Sequence, residues 1–338
     1  MIYLLIAGGL ALLFIGGEAL VRGSVGIARR FGVSELVIGL TLVGFGTSMP
    51  ELVTSLRAIE TEAVGISVGN VAGSNIANVL LVLGVAAVLR PILTQPSALA
   101  RDFSIMVVVT VIFGLVAYFD IFSRAAGAGL VGLLVAYLLF SLLMDRRQGA
   151  AATLHSDEAE VIETREPLGV SILLTALGMA GVIFGARLLV DGGVQLAALA
   201  GLSETVIGLT VVAIGTSLPE LATSIVSALR GKSDVALGNI IGSNIFNVLG
   251  IVGVTALVHP FTLAGGVQRA ENFDYEAALG GPGDALASGA YLTWTDIGAM
   301  ILSVALLFLF AFTGKKLARW EGAVLLAGYA LYMVLVFR

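Results

Sequence analysis

The chain has no cysteine, only two histidines and 12% charged residues, where soluble domains carry about 25% charged. Without thiols there is no disulfide and no thiolate chemistry. His155 and His259 fall in polar connections, so no imidazole is expected inside an apolar segment. That argues against a soft-ligand metal cage, and it leaves Ser48 and Ser217 without a base for nucleophilic hydrolysis. No GxxxxGK run is present to cradle phosphates, so nothing marks an ATP-driven pump. No basic cluster marks a nucleic-acid partner, and the net charge is −5. No polar stretch is long enough to fold as a soluble domain. No cofactor and no obligatory protein partner are expected.

What is present is apolar: 58% of residues are hydrophobic. A bilayer core of about 30 Å takes about 20 apolar residues per helix. Ten spans are expected, at 2–27, 33–57, 67–89, 103–121, 126–144, 167–190, 203–229, 235–257, 297–314 and 318–337. The expected fold class is an all-α polytopic membrane protein, embedded in lipid. The N-terminal run MIYLLIAGGLALLFIGGEALV has no basic leader and no obvious cleavage site, so it is expected to stay as the first helix. Polar connections fall at 145–166, which is acidic, and at 258–296, which is rich in Gly and Ala; both are expected to be solvated. With the N-terminus outside, thirteen of the eighteen Lys and Arg lie on the inner side. The bias predicts N-out and C-out in the cytoplasmic membrane, with 145–166 cytoplasmic and 258–296 external.

The chain repeats itself. Shifting residues 35–85 by 169 lays them on 204–254 without a gap, with 26 of 51 positions identical. The shift also lays Glu18 on Arg187 and Arg22 on Asp191, a charge swap. The organisation read from this is a first five-helix repeat at 1–144, a linker at 145–166 and a second repeat at 167–338. Five spans per half is an odd number, so the halves must have opposite topology. Inverted repeats with broken helices meeting at mid-membrane are a recurrent transporter plan.

Two elements inside the repeat carry chemistry. GTSMPELVTS contains Thr47, Ser48, Pro50 and Glu51; GTSLPELATS contains Thr216, Ser217, Pro219 and Glu220. A carboxylate in an apolar span is expensive and marks function by default. Proline removes a backbone bond and biases the preceding residue away from the α region, which frees carbonyls that survive at membrane depth only beside protein, a cavity or an ion. Hydroxyl, carbonyl and carboxylate oxygens together suit a hard cation such as Ca²⁺. One copy alone fits a kinked packing helix with a paired Glu; two copies point to one shared site. In the second element Asn70, Ser74 and Asn78 stand four apart on one helix face, and Asn239, Ser243 and Asn247 repeat them. Alone they serve equally as interhelical glue; facing the Glu-bearing helices they complete an oxygen-lined site.

GTSMPELVTS with GNVAGSNIANVL, and GTSLPELATS with GNIIGSNIFNVL, resemble the α-1 and α-2 repeats of the sodium/calcium exchanger family, within the calcium/cation antiporter superfamily. The resemblance implies ten helices and a central Ca²⁺ site. Its ligands would be the Glu51 and Glu220 carboxylates and the backbone oxygens of Thr47 and Thr216. It implies Na⁺ sites at Ser48, Ser74, Ser217 and Ser243 with the Gly44 and Ala213 carbonyls, and Asn78 and Asn247 lining the centre. Some members carry Asp where this chain has Asn247, and potassium dependence goes with that acidic residue. Asn in both halves leaves two full carboxylates. The large regulatory domain of animal members has no counterpart here.

The function expected is therefore a secondary antiporter exchanging Ca²⁺ for Na⁺ by alternating access, electrogenic if a third Na⁺ moves. A Ca²⁺/H⁺ antiporter is the closest rival, since a buried Glu can titrate. A cation channel with a Glu ring fits the inverted repeat less well, and a non-transporting scaffold does not explain the duplicated Glu.

Overall fold

A computed structural model describes residues 2–60, 64–94, 96–153, 167–199, 215, 217–263, 294–313 and 316–336. The chain builds α1 (Ile2–Phe31), α2 (Glu35–Thr47), α3 (Met49–Glu60), α4 (64–89), α5 (Pro96–Tyr118) and α6 (Arg124–Thr153) in its first half. The second half builds α7 (Leu168–Leu199), α8 (Leu218–Leu229), α9 (Ser233–Val258), α10 (Trp294–Thr313) and α11 (Arg319–Val336). Among the described residues, eight helices are long and apolar enough to cross a membrane, and the α2–α3 pair, bent by 41°, makes a ninth. The span expected at 203–229 is described only at residue 215 and from 217 onward. Its upstream part, residues 154–166 of the linker and residues 264–293 of the long loop lie outside the described residues.

Several boundaries differ from expectation: α5 begins at Pro96 rather than 103, α7 runs past 190 to Leu199, and α1 and α6 are longer at their C-terminal ends. α1 runs past 27 to Phe31, with Arg29 and Arg30 in its last turn and Gly32 beyond it at φ +64°. Cations favour a helix C-terminus, and a left-handed glycine closes it. α6 runs past 144 through DRRQGAAAT to Thr153, so the start of the expected connector is helix. Ala, Arg and Gln are good helix formers, and the polar ones do not stop a helix once it leaves lipid.

α4 and α9 are the inner pair: 78% and 89% of their apolar windows are buried, against 17–39% for the other single spans. The outer helices leave Phe14, Leu139, Leu177 and Leu309 exposed, as lipid requires. α1 and α7 pack on each other over much of their length. A Cβ on Gly16 would sit 2.7 Å from the Val182 nitrogen, and one on Gly9 2.7 Å from the Leu189 nitrogen. These glycines allow the backbones to touch. Gly9 meets Gly185, Gly16 meets Gly178 and Gly23 meets Ser171, so the two helices run antiparallel. Because the shift of 169 makes α1 and α7 equivalent, their opposite direction is the inverted repeat seen directly. A small antiparallel pair, β1 (Ile92–Leu93) with β2 (Lys316–Leu317), ties the α4–α5 connection to the α10–α11 connection. The hydropathy pattern carried no sign of it.

Candidate cation site

The site forms where the broken helices cross α4 and α9. The break between α2 and α3 falls on Ser48 (φ −87°, ψ 7°), and Ser217, which caps α8, has the matching backbone (φ −88°, ψ 5°). The expectation had placed the distortion at residue 49. Met49 instead already belongs to α3, with Pro50 in the first turn, where the missing N–H would have had no partner anyway. Glu51 and Glu220 consequently lie in the first turns of α3 and α8. The unpaired N–H groups there form the positive end of each helix dipole, which stabilises an ionised carboxylate.

α2 and α9 approach closely enough that a Cβ on Gly242 would collide with the Leu40 carbonyl. That contact brings donors of one half onto acceptors of the other. Ser48 Oγ donates to Glu220 Oε1 at 2.9 Å, and Thr47 Oγ1 to Asn239 Oδ1 at 3.2 Å. Ser243 Oγ donates to the Gly44 carbonyl at 3.0 Å. Asn239 Nδ2 in turn donates to Ser224 Oγ at 3.0 Å and to the Glu220 backbone carbonyl at 3.4 Å. Asn70 repeats this with Ser55 Oγ at 3.0 Å and the Glu51 carbonyl at 3.2 Å. The two carboxylates lie close enough to repel each other.

Glu51, Glu220, Thr47, Ser48, Ser74, Ser217, Ser243, Asn78 and Asn247 are all buried. Thr216 and Ala213 lie outside the described residues. Glu51 Oε2, Glu220 Oε2, Asn78 Oδ1, Asn247 Oδ1 and Ser217 Oγ are buried with no hydrogen-bond partner among the described residues. Buried polar atoms are otherwise almost always paired. These five open oxygens are all hard donors of the kind a hard cation takes; the Ser141, Ser171, Thr223 and Ser227 hydroxyls are open as well. Asn78 and Asn247 each open a π-helical turn, Asn78–Val82 and Asn247–Val252, a distortion frequent at functional sites. Asn75 and Asn244, quoted in the motifs but assigned nothing from sequence, prove to be buried and bonded to each other across the repeat boundary. Their signal was available: an amide repeated twice inside a highly apolar helix.

A family model described as sodium/calcium exchanger protein matches residues 1–143 and 170–338. The chain belongs to the sodium/calcium exchanger family. It is 34% identical over 368 residues to the sodium/calcium exchanger MaX1 of Methanosarcina acetivorans, covering 99% of this chain and 98% of the relative. It is 39% identical over 254 residues to the inner membrane protein YrbG of Escherichia coli, covering 75% and 78%. A solved structure of the sodium-calcium exchanger NCX_Mj, soaked with Na⁺ and Ca²⁺, superposes with a TM-score of 0.77 at 32% identity, covering 98% of this chain and 96% of that one. Membership of the exchanger family makes this an integral membrane protein of the cation/Ca²⁺ antiporter class, a transporter family and not a catalytic one.

Proposed function

We propose that the protein exchanges Ca²⁺ for Na⁺ across the cytoplasmic membrane by alternating access, and that the cycle is electrogenic. The observation that carries this is the set of open buried oxygens around Glu51 and Glu220. Two ionised carboxylates match one Ca²⁺ or two Na⁺. Glu51 and Glu220 hold Ca²⁺ with the Thr47 and Thr216 backbone oxygens. Ser48, Ser74, Ser217 and Ser243 with the Gly44 and Ala213 carbonyls hold Na⁺, while Asn78 and Asn247 line the centre. Closing the site empty would strand two charges in low dielectric, at a cost of several kcal/mol per ion. Only a loaded site can then occlude, which is the condition for exchange without leak. A third Na⁺ makes the cycle electrogenic. The termini lie outside, with 145–166 cytoplasmic and 258–296 external. The name of MaX1 as a sodium/calcium exchanger, and the soaks of NCX_Mj with Na⁺, Ca²⁺ and Sr²⁺, support the choice of ions.

The test is ⁴⁵Ca²⁺ uptake into proteoliposomes under a Na⁺ gradient, an H⁺ gradient or none. Uptake that follows the Na⁺ gradient and responds to membrane potential is expected. Uptake driven by H⁺ alone would make the protein a Ca²⁺/H⁺ antiporter, and gradient-independent flux would make it a channel.

A further inference from the structure

Asn75 and Asn244 are not among the residues proposed to touch an ion, yet both ends of each amide are fixed beside the site. Asn75 Nδ2 donates to the backbone carbonyl of Asn244 at 3.2 Å, and Asn244 Nδ2 to the backbone carbonyl of Asn75 at 3.3 Å. A carbonyl can only accept, so each amide nitrogen is fixed on that side and each Oδ1 must face the other way. Those oxygens can only receive a donor. Asn244 Oδ1 takes Asn78 Nδ2 at 3.0 Å, and Asn75 Oδ1 takes Asn247 Nδ2 at 2.9 Å. With the nitrogens held, the Oδ1 atoms of Asn78 and Asn247 are what remains to face a ligand, and both are buried without a partner among the described residues.

An asparagine amide is nearly the same shape when flipped. Flipped, Asn78 or Asn247 would turn N–H donors toward the carboxylates and any cation between them. We propose that Asn75 and Asn244 are positioning residues that hold the Asn247 and Asn78 amides with oxygen toward the cation. Each acts across the repeat boundary: Asn244 of the second half sets Asn78 of the first, and Asn75 of the first sets Asn247 of the second. The ligand of one half is thus presented correctly only when the other half is docked. This rests on the reading that Asn78 and Asn247 line the cation site.

A double-mutant cycle in proteoliposomes separates orientation from packing. Asn244→Leu keeps the bulk and removes the acceptor. It is expected to raise KM for Ca²⁺ by about tenfold, with kcat changed by less than about twofold, within the range of measured coupling energies. In an Asn78→Ala background, where no oxygen is left to orient, Asn244→Leu should raise KM no further. Asn75→Leu with Asn247→Ala forms the same cycle for the other half. An unchanged KM in Asn244→Leu, or a full effect that persists in Asn78→Ala, would overturn the proposal and leave Asn244 as helix glue. If Asn244→Leu does not yield folded protein by size exclusion, Asn244→Thr replaces it, since its shorter hydroxyl cannot serve both the Asn75 carbonyl and Asn78. Absence of Ca²⁺ uptake by the unmutated protein would count against the transport reading, and the cycle would then be read on Ca²⁺ affinity by calorimetry.

Discussion

At the scale of the residue, the two glutamates were legible because their cost is legible: nothing in packing asks for a carboxylate in an apolar span. The structure adds where they sit, each in the first turn of a helix, at the positive end of its dipole. Ser48, Thr47 and Ser243 were legible as oxygens beside the break, and they prove to be among the cross-links between halves. Asn75 and Asn244 were legible only as repeated amides in an apolar helix; their role depends on which backbone carbonyl lies opposite, and a single sequence does not encode that pairing locally. Glu51→Gln and Glu220→Gln remove one charge each from a site built for two. Truncating one partner of a buried charge contact costs about 2–5 kcal/mol, roughly 30-fold to several-thousand-fold in affinity. Na⁺-driven Ca²⁺ uptake in either variant is therefore expected to fall to background at micromolar Ca²⁺. Normal uptake in either one would remove that glutamate from the site.

At the scale of the element, hydropathy placed the spans and proline placed the breaks to within two residues. The π turns at Gly39–Val43, Asn78–Val82 and Asn247–Val252 escaped it. A widened turn has no hydrophobic period of its own; the two that open on asparagine do so where that amide bonds a partner helix. The glycines divide in a way that sequence alone does not show. Gly16 faces the backbone of α7, whereas Gly129 on α6 is exposed with nothing near its Cβ position. Gly16→Ala forces α1 and α7 apart, and overpacking of this kind costs about 1–3 kcal/mol. Gly129→Ala only stiffens the unfolded chain and raises helix propensity, worth about 0.4–1 kcal/mol in favour of folding. Thermal unfolding in detergent, followed by Trp294 and Trp320 fluorescence, should show a lowered midpoint for the first and an unchanged or raised one for the second. Equal behaviour would mean that the α1–α7 contact is looser than its geometry.

At the scale of the whole molecule, the inverted repeat is not perfectly symmetric, and the departure bears on how it works. α1 packs along α8, and Glu18 pairs with Arg230 at 2.7 Å at the end of that contact. The shift of 169 carries Glu18 onto Arg187 and Arg230 onto Thr61, so the sequence provides no equivalent ion pair. The clasp therefore belongs to one repeat only, a departure from symmetry written into the sequence. The clasp is exposed, 61% and 39% at its two side chains, so it is worth about 0–1 kcal/mol. A contact that weak can open and re-form, which is compatible with the proposed alternating access. The absence of native cysteine makes the motion testable on a clean background. Cysteines at positions 18 and 230 joined by a short thiol crosslinker should stop Na⁺-driven Ca²⁺ uptake. A reducible linker should restore it on reduction, and the same reagent on either single-cysteine protein should do nothing. If the proposed alternating access moves α1 and α7 against the core, a covalent clasp must block it. Undiminished uptake in the cross-linked protein would mean that α1 and α7 stay fixed while the ions change sides.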